Sequence, residues 1–574
     1  MNVLLFTLNA KYIHSSLALR SLRANLNKGA DCEILELTIN NRPEDILAAI
    51  YEKKPDILGL SCYIWNIRML LDTADSIKKL LPRVRIIAGG PEAAHSAEEL
   101  LRRHKIDMII PGEGEEVFAR LAENGFDPRG IDGVAYLDGG GRFIHRPAPP
   151  PDISRLRFAY DGTKSVADGE LLNKIVYYET SRGCPYACAY CMSALAGGVR
   201  RLPLVTVFQQ LDTLSAMKPK QIKFTDRTFN SDRGYALEIW RHLIENDNSV
   251  TNFHFEISGA LLDGDALELL KTARQGLFQF EIGVQSTNPK TLAEIDRPAD
   301  VPRLLSTVRQ LLAPQNIHIH LDLIAGLPHE DFGRFQNSFN EVYACMPHQL
   351  QLGFLKVLSG SKMEKKAKEY DLIYSRNAPY EVLSTRWLNY EQLRILHGIA
   401  KMVDLYYNSA RFSHIISHLI SYFSDPFSFF LRLWLHYESA SAGKPVSAMG
   451  SHDLLAEFAR SHDLEITERM QWLTKFDLLL HEKPRKLPAW VTVDLSRRSR
   501  KQIQGFFMNP ANIATYLPEY QGETSTCVER IAHLEIFPFD PVTGVPGVVA
   551  VVFNYKRKDM LGRALSRILP FDAL

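Results

Sequence analysis

The chain has 574 residues, a length that at about 150 residues per domain corresponds to three or four domains. Hydrophobic residues make up 46% and charged residues 23% of the chain, which is typical of an ordinary folded protein. The formal net charge is +1, which excludes a whole-protein electrostatic field that favours nucleic acid or an anionic membrane.

The start of the chain and its cysteines indicate the compartment. The first residues, MNVLLFTLNAKYIHSS, lack the basic flank, long apolar stretch and cleavage site of a signal peptide. No apolar run approaches the roughly 18–20 residues of a membrane-spanning helix. Three of the seven cysteines fall close together, while Cys32, Cys62, Cys345 and Cys527 are scattered. This clustering indicates metal or redox chemistry rather than disulfides, so we expect a cytoplasmic protein.

The first region, residues 1 to 140, alternates short apolar stretches with amphipathic ones. The stretches NVLLFT, CEILEL, DILGLS, VRIIAGG and DMIIPG have strand length, and helical patterns such as PEDILAAIYEKK separate them. This alternation predicts a doubly wound parallel sheet, and such sheets bind ligands in the loops beyond the carboxyl ends of their strands. The candidate binding residues in those loops are Asn9, His14, Ser61, Tyr63, Trp65, Asn66, Gly89, Gly90, Pro91, Glu92, Gly112, Glu113 and Gly114.

A connector at residues 141–171 separates this region from a second alternating one. The connector contains Pro147 and the run Pro149–Pro151, which makes it stiff and extended. Residues 172–375 then contain KIVYYET, QIKFTD, NFHFEIS, FQFEIGV, IHIHLDLIAG and LQLGFLKVL, with helical patterns between them. Six βα units predict a partial barrel, whose active site lies at the carboxyl ends of the strands. The clustered cysteines directly follow the first of these strands.

The last region, residues 376–574, has a different pattern. It is mainly helical and rich in aromatic residues between 388 and 480, and it ends in strands such as HLEIFPF and GVVAVVFNYKR. Basic runs at 483–486 and 497–501 are either a solvated surface or a patch that binds the phosphates of RNA or of an anionic metabolite. This region is expected to recognise the substrate or to cover it.

The clustered cysteines form a motif with defined spacing. Cys184, Cys188 and Cys191 lie in SRGCPYACAYCMSA as C-x3-C-x2-C. Thiolates are soft ligands that suit iron–sulfur clusters or zinc. A structural zinc site normally uses four protein ligands, and the chain has no second cysteine pair. Three thiolates on a 4Fe–4S cluster leave one iron open, so the motif favours an open cluster over a three-cysteine zinc or structural site.

This motif, with Tyr190 before the last cysteine and a βα barrel after it, resembles that of the radical S-adenosylmethionine (SAM) superfamily. The resemblance covers roughly residues 172–360. It implies that the open iron binds SAM, whose reductive cleavage starts radical chemistry, and that polar groups at the strand ends hold SAM. A carboxylate at a strand end often caps a helix or joins a salt bridge instead. The candidate SAM contacts are Tyr190, Asp226, Glu256, Ser258, Glu281, Gln285, Ser286 and Leu327.

A doubly wound domain before such a barrel resembles the cobalamin-binding subgroup of that superfamily. The resemblance implies that the loop residues of the first region contact cobalamin, where small residues such as Gly89 and Gly90 let the backbone approach a large flat ligand. The cobalt-ligating pattern D-x-H-x-x-G is absent, so no histidine of this domain is expected as the usual cobalt ligand. His14 is therefore either a cobalamin contact or a hydrogen-bonding residue.

Other ligands of the first region are disfavoured by its sequence. A nicotinamide site would need G-x-G-x-x-G after the first strand, and that loop contains no glycine. A phosphoacceptor domain would need an aspartate where Ser61 stands. A methylthiotransferase would need three further cysteines near its amino terminus, and this region has only Cys32 and Cys62.

Together these resemblances imply a cobalamin-dependent radical SAM enzyme, most simply a C-methyltransferase that acts on an unactivated carbon. In that interpretation a 5′-deoxyadenosyl radical removes hydrogen from the substrate, and methylcobalamin supplies the methyl group. The alternatives are a non-methylating cyclase or rearrangement enzyme with the same cofactors, and a non-catalytic cofactor- or RNA-binding protein. The resemblance also implies an external low-potential electron donor of the flavodoxin or ferredoxin type.

The last region resembles an uncharacterised C-terminal domain that accompanies one branch of these enzymes, and that resemblance assigns it no reaction. The substrate therefore stays open among a small metabolite, a lipid, a peptide and a tRNA.

Overall fold

The structure is a computed structural model. It describes residues 1–27, 31–161, 171, 173–195, 197–297, 299–441, 444, 446–496 and 499–571.

The N-terminal domain is built on a seven-stranded sheet in the order β2-β1-β3-β4-β5-β6-β7. Its strands are β1 (Asn2–Asn9), β2 (Asp31–Thr38), β3 (Ile57–Ser61), β4 (Arg85–Gly89), β5 (Met108–Ile110), β6 (Ala135–Leu137) and β7 (Phe143–His145). Strands β1 to β5 are parallel, and β3 is buried along its whole length because helices cover both faces. The helices are α1 (Leu17–Asn25), α2 (Pro43–Lys53), α3 (Ile67–Leu80), α4 (Pro91–His95), α5 (Ala97–Arg103) and α6 (Glu115–Glu123).

The five parallel strands confirm the predicted doubly wound sheet, and a hairpin extends it. Strands β6 and β7 pair antiparallel, so the sheet continues past residue 140 into the predicted connector. Asp138 builds the turn between them by accepting hydrogen bonds from the N–H groups of Gly140 and Arg142. Aspartate followed by glycine is a hairpin signal. The sequence predicted a connector there because this stretch also contains consecutive glycines and is followed by prolines.

The central domain is a partial barrel of six parallel strands, as predicted, in the order β15-β14-β13-β12-β11-β8. These strands are β8 (Val176–Tyr178), β11 (Gln221–Phe224), β12 (Asn252–Ile257), β13 (Phe278–Gln285), β14 (His318–Ala325) and β15 (Gln349–Phe354). A two-residue ribbon, β9 (Ser181–Arg182) with β10 (Arg200–Arg201), lies between the first two. The covering helices are α7 (Leu204–Ala216), α8 (Arg233–Glu245), α9 (Gly264–Lys271), α10 (Pro289–Glu294), α11 (Val301–Leu312) and α12 (Phe332–Tyr343).

Alternation of burial along the barrel strands separates the core from the lumen. In β13 every second residue is buried, starting with Phe278 and Phe280. These rings join Phe224, Phe255 and Trp240 in one aromatic core beneath the helices. Three of the four intervening positions, Gln279, Glu281 and Gln285, carry polar side chains. Because successive side chains of a strand point to opposite faces, those polar residues line the lumen.

The C-terminal region is mainly helical and ends in strands, as predicted. It is preceded by a short helix, α13 (Lys362–Lys365), and a short strand, β16 (Ile373–Tyr374). Its helices are α14 (Tyr390–Met402), α15 (Ser413–Ile420), α16 (Pro426–Ser441), α17 (Ala448–Ser461), α18 (Glu468–His481), α19 (Arg500–Met508), α20 (Pro510–Tyr516) and α21 (Ser525–Ile531). Its strands are β17 (Val382–Ser384), which pairs with β16, then β18 (Ala532–Phe539), β19 (Pro546–Lys558) and β20 (Ala564–Pro570). The last three form an antiparallel sheet.

Two expectations from the sequence bear on this region. Lys483, Arg485 and Lys486 are exposed, whereas Arg497 and Arg498 lie outside the described residues. The basic patch therefore stays a prediction. Within the described ranges, no helix has both the length and the apolar character needed to cross a bilayer.

Two helical glycines give a stability test with opposite signs. A methyl group on Gly398 in α14 would overlap the indole of Trp434 on α16, whereas one on Gly505 in α19 would meet nothing within 4 Å. Gly398→Ala should destabilise by roughly 1–3 kcal/mol because the tight packing must shift. Gly505→Ala should stabilise by about 0.5–1 kcal/mol through helix propensity. Urea unfolding measures both; a Gly398→Ala variant as stable as Gly505→Ala would contradict the close packing of α14 on α16.

Candidate functional site

A cavity of about 650 Å³ is lined by loops of the N-terminal sheet and by the lumen of the barrel. The carboxyl ends of both sets of parallel strands therefore face one space. Ten of the thirteen residues predicted to bind a ligand on the sheet line it: Asn9, His14, Ser61, Tyr63, Trp65, Gly89, Gly90, Gly112, Glu113 and Gly114. From the barrel side it is lined by Tyr177, Glu179, Arg182, Lys223, Phe224, Thr225, Arg227 and Glu256.

The other three predicted contacts, Asn66, Pro91 and Glu92, are not among the residues that line this cavity. Asn66 is buried, and its Nδ2 donates hydrogen bonds of 3.1 Å to Thr7 Oγ1, Leu8 O and Ser61 O. It thereby connects the end of β1 to the end of β3, and Ser61 at that end of β3 lines the cavity. Pro91 begins α4, and Glu92 accepts a hydrogen bond of 2.7 Å from the hydroxyl of Tyr380.

An aromatic pair stands in the cavity wall after β3. The rings of Tyr63 and Trp65 stack with centroids 4.5 Å apart and planes 4° from parallel. Trp65 is 45% exposed although its Nε1 donates to Leu8 O at 3.1 Å. A large aromatic face left open inside a cavity offers apolar area to a flat ligand.

The glycines of the cavity fit a large planar cofactor. A Cβ on Gly112 would meet no atom within 4 Å, so the missing side chain leaves free space at the wall. Gly90 is needed for a different reason: its φ is +96° and a Cβ would lie 2.5 Å from the carbonyl oxygen of Cys62. The cavity also extends along apolar side chains such as Leu22, Ile110 and Phe118. These features fit cobalamin, which has a broad macrocycle.

The loop after β1 docks on the first barrel strand. Ile175 N–H donates to Ile13 O at 2.7 Å, and Ser15 Oγ donates to Ile175 O at 2.6 Å. His14 Nδ1 lies 2.8 Å from the hydroxyl of Tyr177. Burial and the nearby charges of Lys11 and Lys223 lower the pKa of His14, so its imidazole is neutral near pH 7. Its contact with cobalamin stays a prediction.

The three motif cysteines occupy one loop that other segments hold in place. All three are free thiols; Cys188 is buried, and Cys184 and Cys191 are half-buried. The loop is fixed by backbone hydrogen bonds of 2.9 Å from Ala189 N to Ile295 O and from Met363 N to Ala189 O. The loop therefore presents its sulfurs from a fixed backbone.

Polar groups from other segments lie beside two of the thiols. Arg297 Nη1 lies 3.7 Å from Cys188 Sγ, and Thr228 Oγ1 lies 3.5 Å from Cys184 Sγ. A guanidinium near a sulfur stabilises its anion, which is the form that binds metal. Three free cysteines in one fixed loop, with a cation beside them, fit the protein side of an open 4Fe–4S cluster.

The lumen holds a polar network that sequence reasoning missed in part. Lys223 Nζ and His254 Nε2 each lie 3.1 Å from Glu281 Oε2, and His320 Nε2 lies 3.0 Å from Asp322 Oδ1. Glu281, His320 and Asp322 each place one oxygen or nitrogen within 4.8 Å of the others. Lys223, His254 and His320 were overlooked, although the signal existed: they occupy the positions that alternate with buried aromatic or aliphatic residues.

Two predicted SAM contacts with carboxylates have very different settings. Glu256 lines the cavity 3.8 Å from Arg227, and burial raises the pKa of Glu256 to about 7. Asp226 is only 1% exposed and accepts hydrogen bonds from Thr180 N–H, Thr180 Oγ1 and Ser181 Oγ at 2.5–3.0 Å. Burial raises the pKa of Asp226 to about 6 despite these donors. Asp226 thus holds the chain just before the cysteine loop.

The remaining predicted SAM contacts differ in their burial and in their hydrogen-bond partners. Gln285 ends β13 with φ +70°, and its buried Oε1 has no hydrogen-bond partner among the described residues. Such backbone strain often marks a functional position. Ser286 and Leu327 are fully buried, and Ser286 donates to Glu330. The backbone of Ser258 is hydrogen-bonded to the Asn230 side chain. Tyr190, half-buried beside the cysteines, has its pKa raised by burial.

Comparison with protein families finds three successive matches. Residues 3–122 match the B12 binding domain, residues 178–342 match the radical SAM superfamily, and residues 368–547 match a protein of unknown function, DUF4080. A radical SAM domain implies a 4Fe–4S cluster and SAM, and a B12-binding domain implies cobalamin.

Curated relatives include both methyltransferases and cyclases. A 2-(S-pantetheinyl)-carbapenam-3-carboxylate methyltransferase of Streptantibioticus cattleyicolor is 28% identical over 51% of this chain and 46% of that protein. An anaerobic magnesium-protoporphyrin IX monomethyl ester cyclase of Rubrivivax gelatinosus is 23% identical over 52% of this chain and 56% of that protein. The chain thus spans about half the length of these relatives.

Solved structures share the fold. The methyltransferase TsrM of Kitasatospora setae, with cobalamin and a 4Fe–4S cluster bound, matches with TM-score 0.55 and 19% identity over 65% of this chain and 79% of that one. The cobalamin-dependent SAM radical enzyme OxsB, with aqua-cobalamin and SAM bound, matches with TM-score 0.55 and 15% identity over 81% of this chain and 76% of that one. The chain therefore shares its fold with these two enzymes, and in sequence it matches a B12 binding domain, a radical SAM domain and a C-terminal domain of unknown function.

Proposed function

We propose that this chain is a cobalamin-dependent radical SAM methyltransferase that adds a methyl group to an unactivated carbon. The observation that carries the proposal is the shared cavity, in which loops of the B12-binding domain face Tyr177, Lys223 and Glu256 of the barrel. A radical methyl transfer requires both cofactors to reach one substrate carbon, and a common cavity is compatible with that requirement. The methyltransferase relative described above supports the same reaction class.

When bound, the cluster with SAM supplies the radical that removes hydrogen, and cobalamin supplies the methyl group. The chain's own residues hold and orient these groups. Cys184, Cys188 and Cys191 would ligate the cluster, and Arg297 beside Cys188 would stabilise its thiolate. The stacked Tyr63 and Trp65 would offer an apolar face to the corrin ring. We further propose that a flavodoxin- or ferredoxin-type donor supplies the electron and that the enzyme acts in the cytoplasm, whose reducing conditions suit free thiols.

The lumen residues would orient the substrate. Lys223 and Arg227 bring positive charge to a wall that also holds Glu256, so the cavity offers both donors and acceptors. Because the pKa of Glu256 is about 7, its carboxyl is able to donate or accept near neutral pH. Such a wall positions a polar substrate group while the cavity limits access of water to the radical.

A second candidate function is a radical cyclisation or rearrangement with the same cofactors and no methyl transfer. The similarity to the magnesium-protoporphyrin ester cyclase favours it. Only methylation adds a CH2 unit to the product, so product mass separates the two reactions.

The first test is a search for labelled product. Anaerobically reconstituted protein with cobalamin, a reductant and methyl-labelled SAM is incubated with a cell extract, and small molecules and macromolecules are separated and counted. We expect label in a product heavier than its precursor by one CH2 unit. Formation of 5′-deoxyadenosine with no labelled product favours the second candidate, and failure to cleave SAM favours a non-catalytic binding protein.

The cysteine motif gives a second test. Cys184→Ala, Cys188→Ala or Cys191→Ala should each abolish 5′-deoxyadenosine formation, because each removes one of three thiolate ligands. Cys345→Ala and Cys527→Ala are matched controls outside the motif, and they should leave it intact. Chromatography of the nucleoside product measures the effect. A motif variant that still cleaves SAM at the wild-type rate would refute the ligand assignment.

The open space at Gly112 gives a third test. Gly112→Leu should lower cobalamin affinity at least about tenfold, equivalent to about 1.4 kcal/mol, because the new side chain enters the cavity. Gly139→Leu makes the same change at an open hairpin position outside the cavity, and its affinity should equal that of the wild type. Equilibrium dialysis against hydroxocobalamin measures both, and equal affinities for the two variants would remove cobalamin from this wall.

A further inference from the structure

The cysteine loop leaves and rejoins the barrel through a narrow neck. Arg182, two residues before Cys184, belongs to β9, and Arg200 lies opposite it in β10. Gly183, between Arg182 and Cys184, has φ +102°, and a Cβ there would overlap the carbonyl oxygen of Gly198 across the neck. The two strands are therefore too close for a side chain, and a displacement of one side of the neck moves the cysteine loop.

The Arg182 side chain is almost enclosed, and carboxylates occupy its donors. Its Nη1 lies 2.7 Å from Glu113 Oε2, its Nη2 lies 2.6 Å from Glu115 Oε1, and both Nε and Nη2 contact Glu179. The side chain is 15% exposed. These carboxylates raise the pKa of Arg182, so it keeps its charge. A planar guanidinium that binds several carboxylates at once fixes direction as well as distance.

Two of those three carboxylates belong to the other domain. Glu113 lies in the loop after β5, Glu115 is the first residue of α6, and both line the cavity together with Gly112. Glu113 is contacted again by Arg200, and Glu115 accepts a hydrogen bond of 3.0 Å from Ser21 Oγ on α1. The arginines on both sides of the neck are thus bound to one loop of the B12-binding domain.

We propose that Arg182 couples the two cofactor sites: it transmits the position of the cobalamin loop at Glu113 and Glu115 to the neck of the cysteine loop. Arg182 is a positioning residue, since it acts on the cluster through the neck and on cobalamin through the glutamates. Binding of cobalamin would order the loop at Gly112, and the ion pairs would carry that order to the neck. The inference rests on the two cofactors and not on methyl transfer, so it stands or falls independently of the reaction.

Thermodynamic reciprocity makes the coupling measurable without turnover. If cobalamin favours the cluster-bound arrangement, then the cluster favours cobalamin binding by the same factor. We expect the cluster to tighten hydroxocobalamin binding to the wild-type chain at least about fivefold, the lower end of typical coupling. We also expect cobalamin to slow the transfer of iron from the reconstituted cluster to a coloured iron chelator.

The decisive variant is Arg182→Met, which removes the guanidinium group and its hydrogen bonds but keeps much of the volume of the side chain. Arg182→Met should take up each cofactor separately, but the ratio of hydroxocobalamin Kd without and with the cluster should fall to about one. Arg182→Lys keeps the positive charge but lacks the planar guanidinium, so the same ratio of Kd values should be intermediate. Arg274→Met is the matched control, because Arg274 also binds a carboxylate, Asp247, and a backbone carbonyl, that of Thr251, away from the cavity. Its ratio should equal that of the wild type.

A second variant approaches the coupling from the other domain. Glu115→Gln weakens the pairing with Arg182 while leaving the neck sequence unchanged, so it too should lower the ratio even if Arg182→Met fails to fold. A wild-type ratio of one would overturn the proposal, as would an unchanged ratio in Glu115→Gln. If the wild-type protein forms no 5′-deoxyadenosine but its ratio of hydroxocobalamin Kd values is at least about fivefold, the result counts against the proposed reaction and not against the coupling.

Discussion

The hydrogen bond from Ile175 N–H to Ile13 O is the contact on which the arrangement of the site depends. It joins the loop after β1 of one domain to the start of β8 in the other, and Ser15 and His14 reinforce it through Ile175 O and the Tyr177 hydroxyl. The joined segments follow the carboxyl end of β1 and directly precede β8, and Tyr177 of β8 lines the common cavity. The contact therefore holds the two domains together beside that cavity.

Sequence reasoning found the parts of this arrangement that repeat. Apolar stretches of strand length predicted both sheets, because that signal is local, and cysteine spacing marked the loop after β8 whose metal binding stays a prediction. It missed the hairpin of β6 and β7, where glycines masked a turn built by Asp138. It also missed Arg182, whose partner Glu113 lies 69 residues away. Pairing between distant charges leaves no periodic trace, whereas Lys223 occupies a position of the alternating pattern of β11 and was overlooked despite that signal.

The segment that joins the barrel to the C-terminal region contacts the cysteine motif, and the start of the C-terminal region contacts the N-terminal domain. Lys362 Nζ lies 3.3 Å from Ala187 O inside the cysteine motif, and Met363 N–H binds the carbonyl of Ala189. The hydroxyl of Tyr380 binds Glu92 at the start of α4 in the N-terminal domain. The segment from α13 to β17 therefore contacts both the cysteine loop and the N-terminal domain, and it leads directly into the C-terminal region.

The guanidinium of Arg297, 3.7 Å from Cys188 Sγ, has a consequence for electron supply. Reduction adds one negative charge to an iron–sulfur cluster, and a permanent cation beside a ligand sulfur stabilises the reduced state more than the oxidised one. Burial strengthens this effect, because the local dielectric is lower than that of water. With Cys188 as a cluster ligand, Arg297 would therefore shift the midpoint potential upward, and a weaker reductant would suffice to supply the first electron.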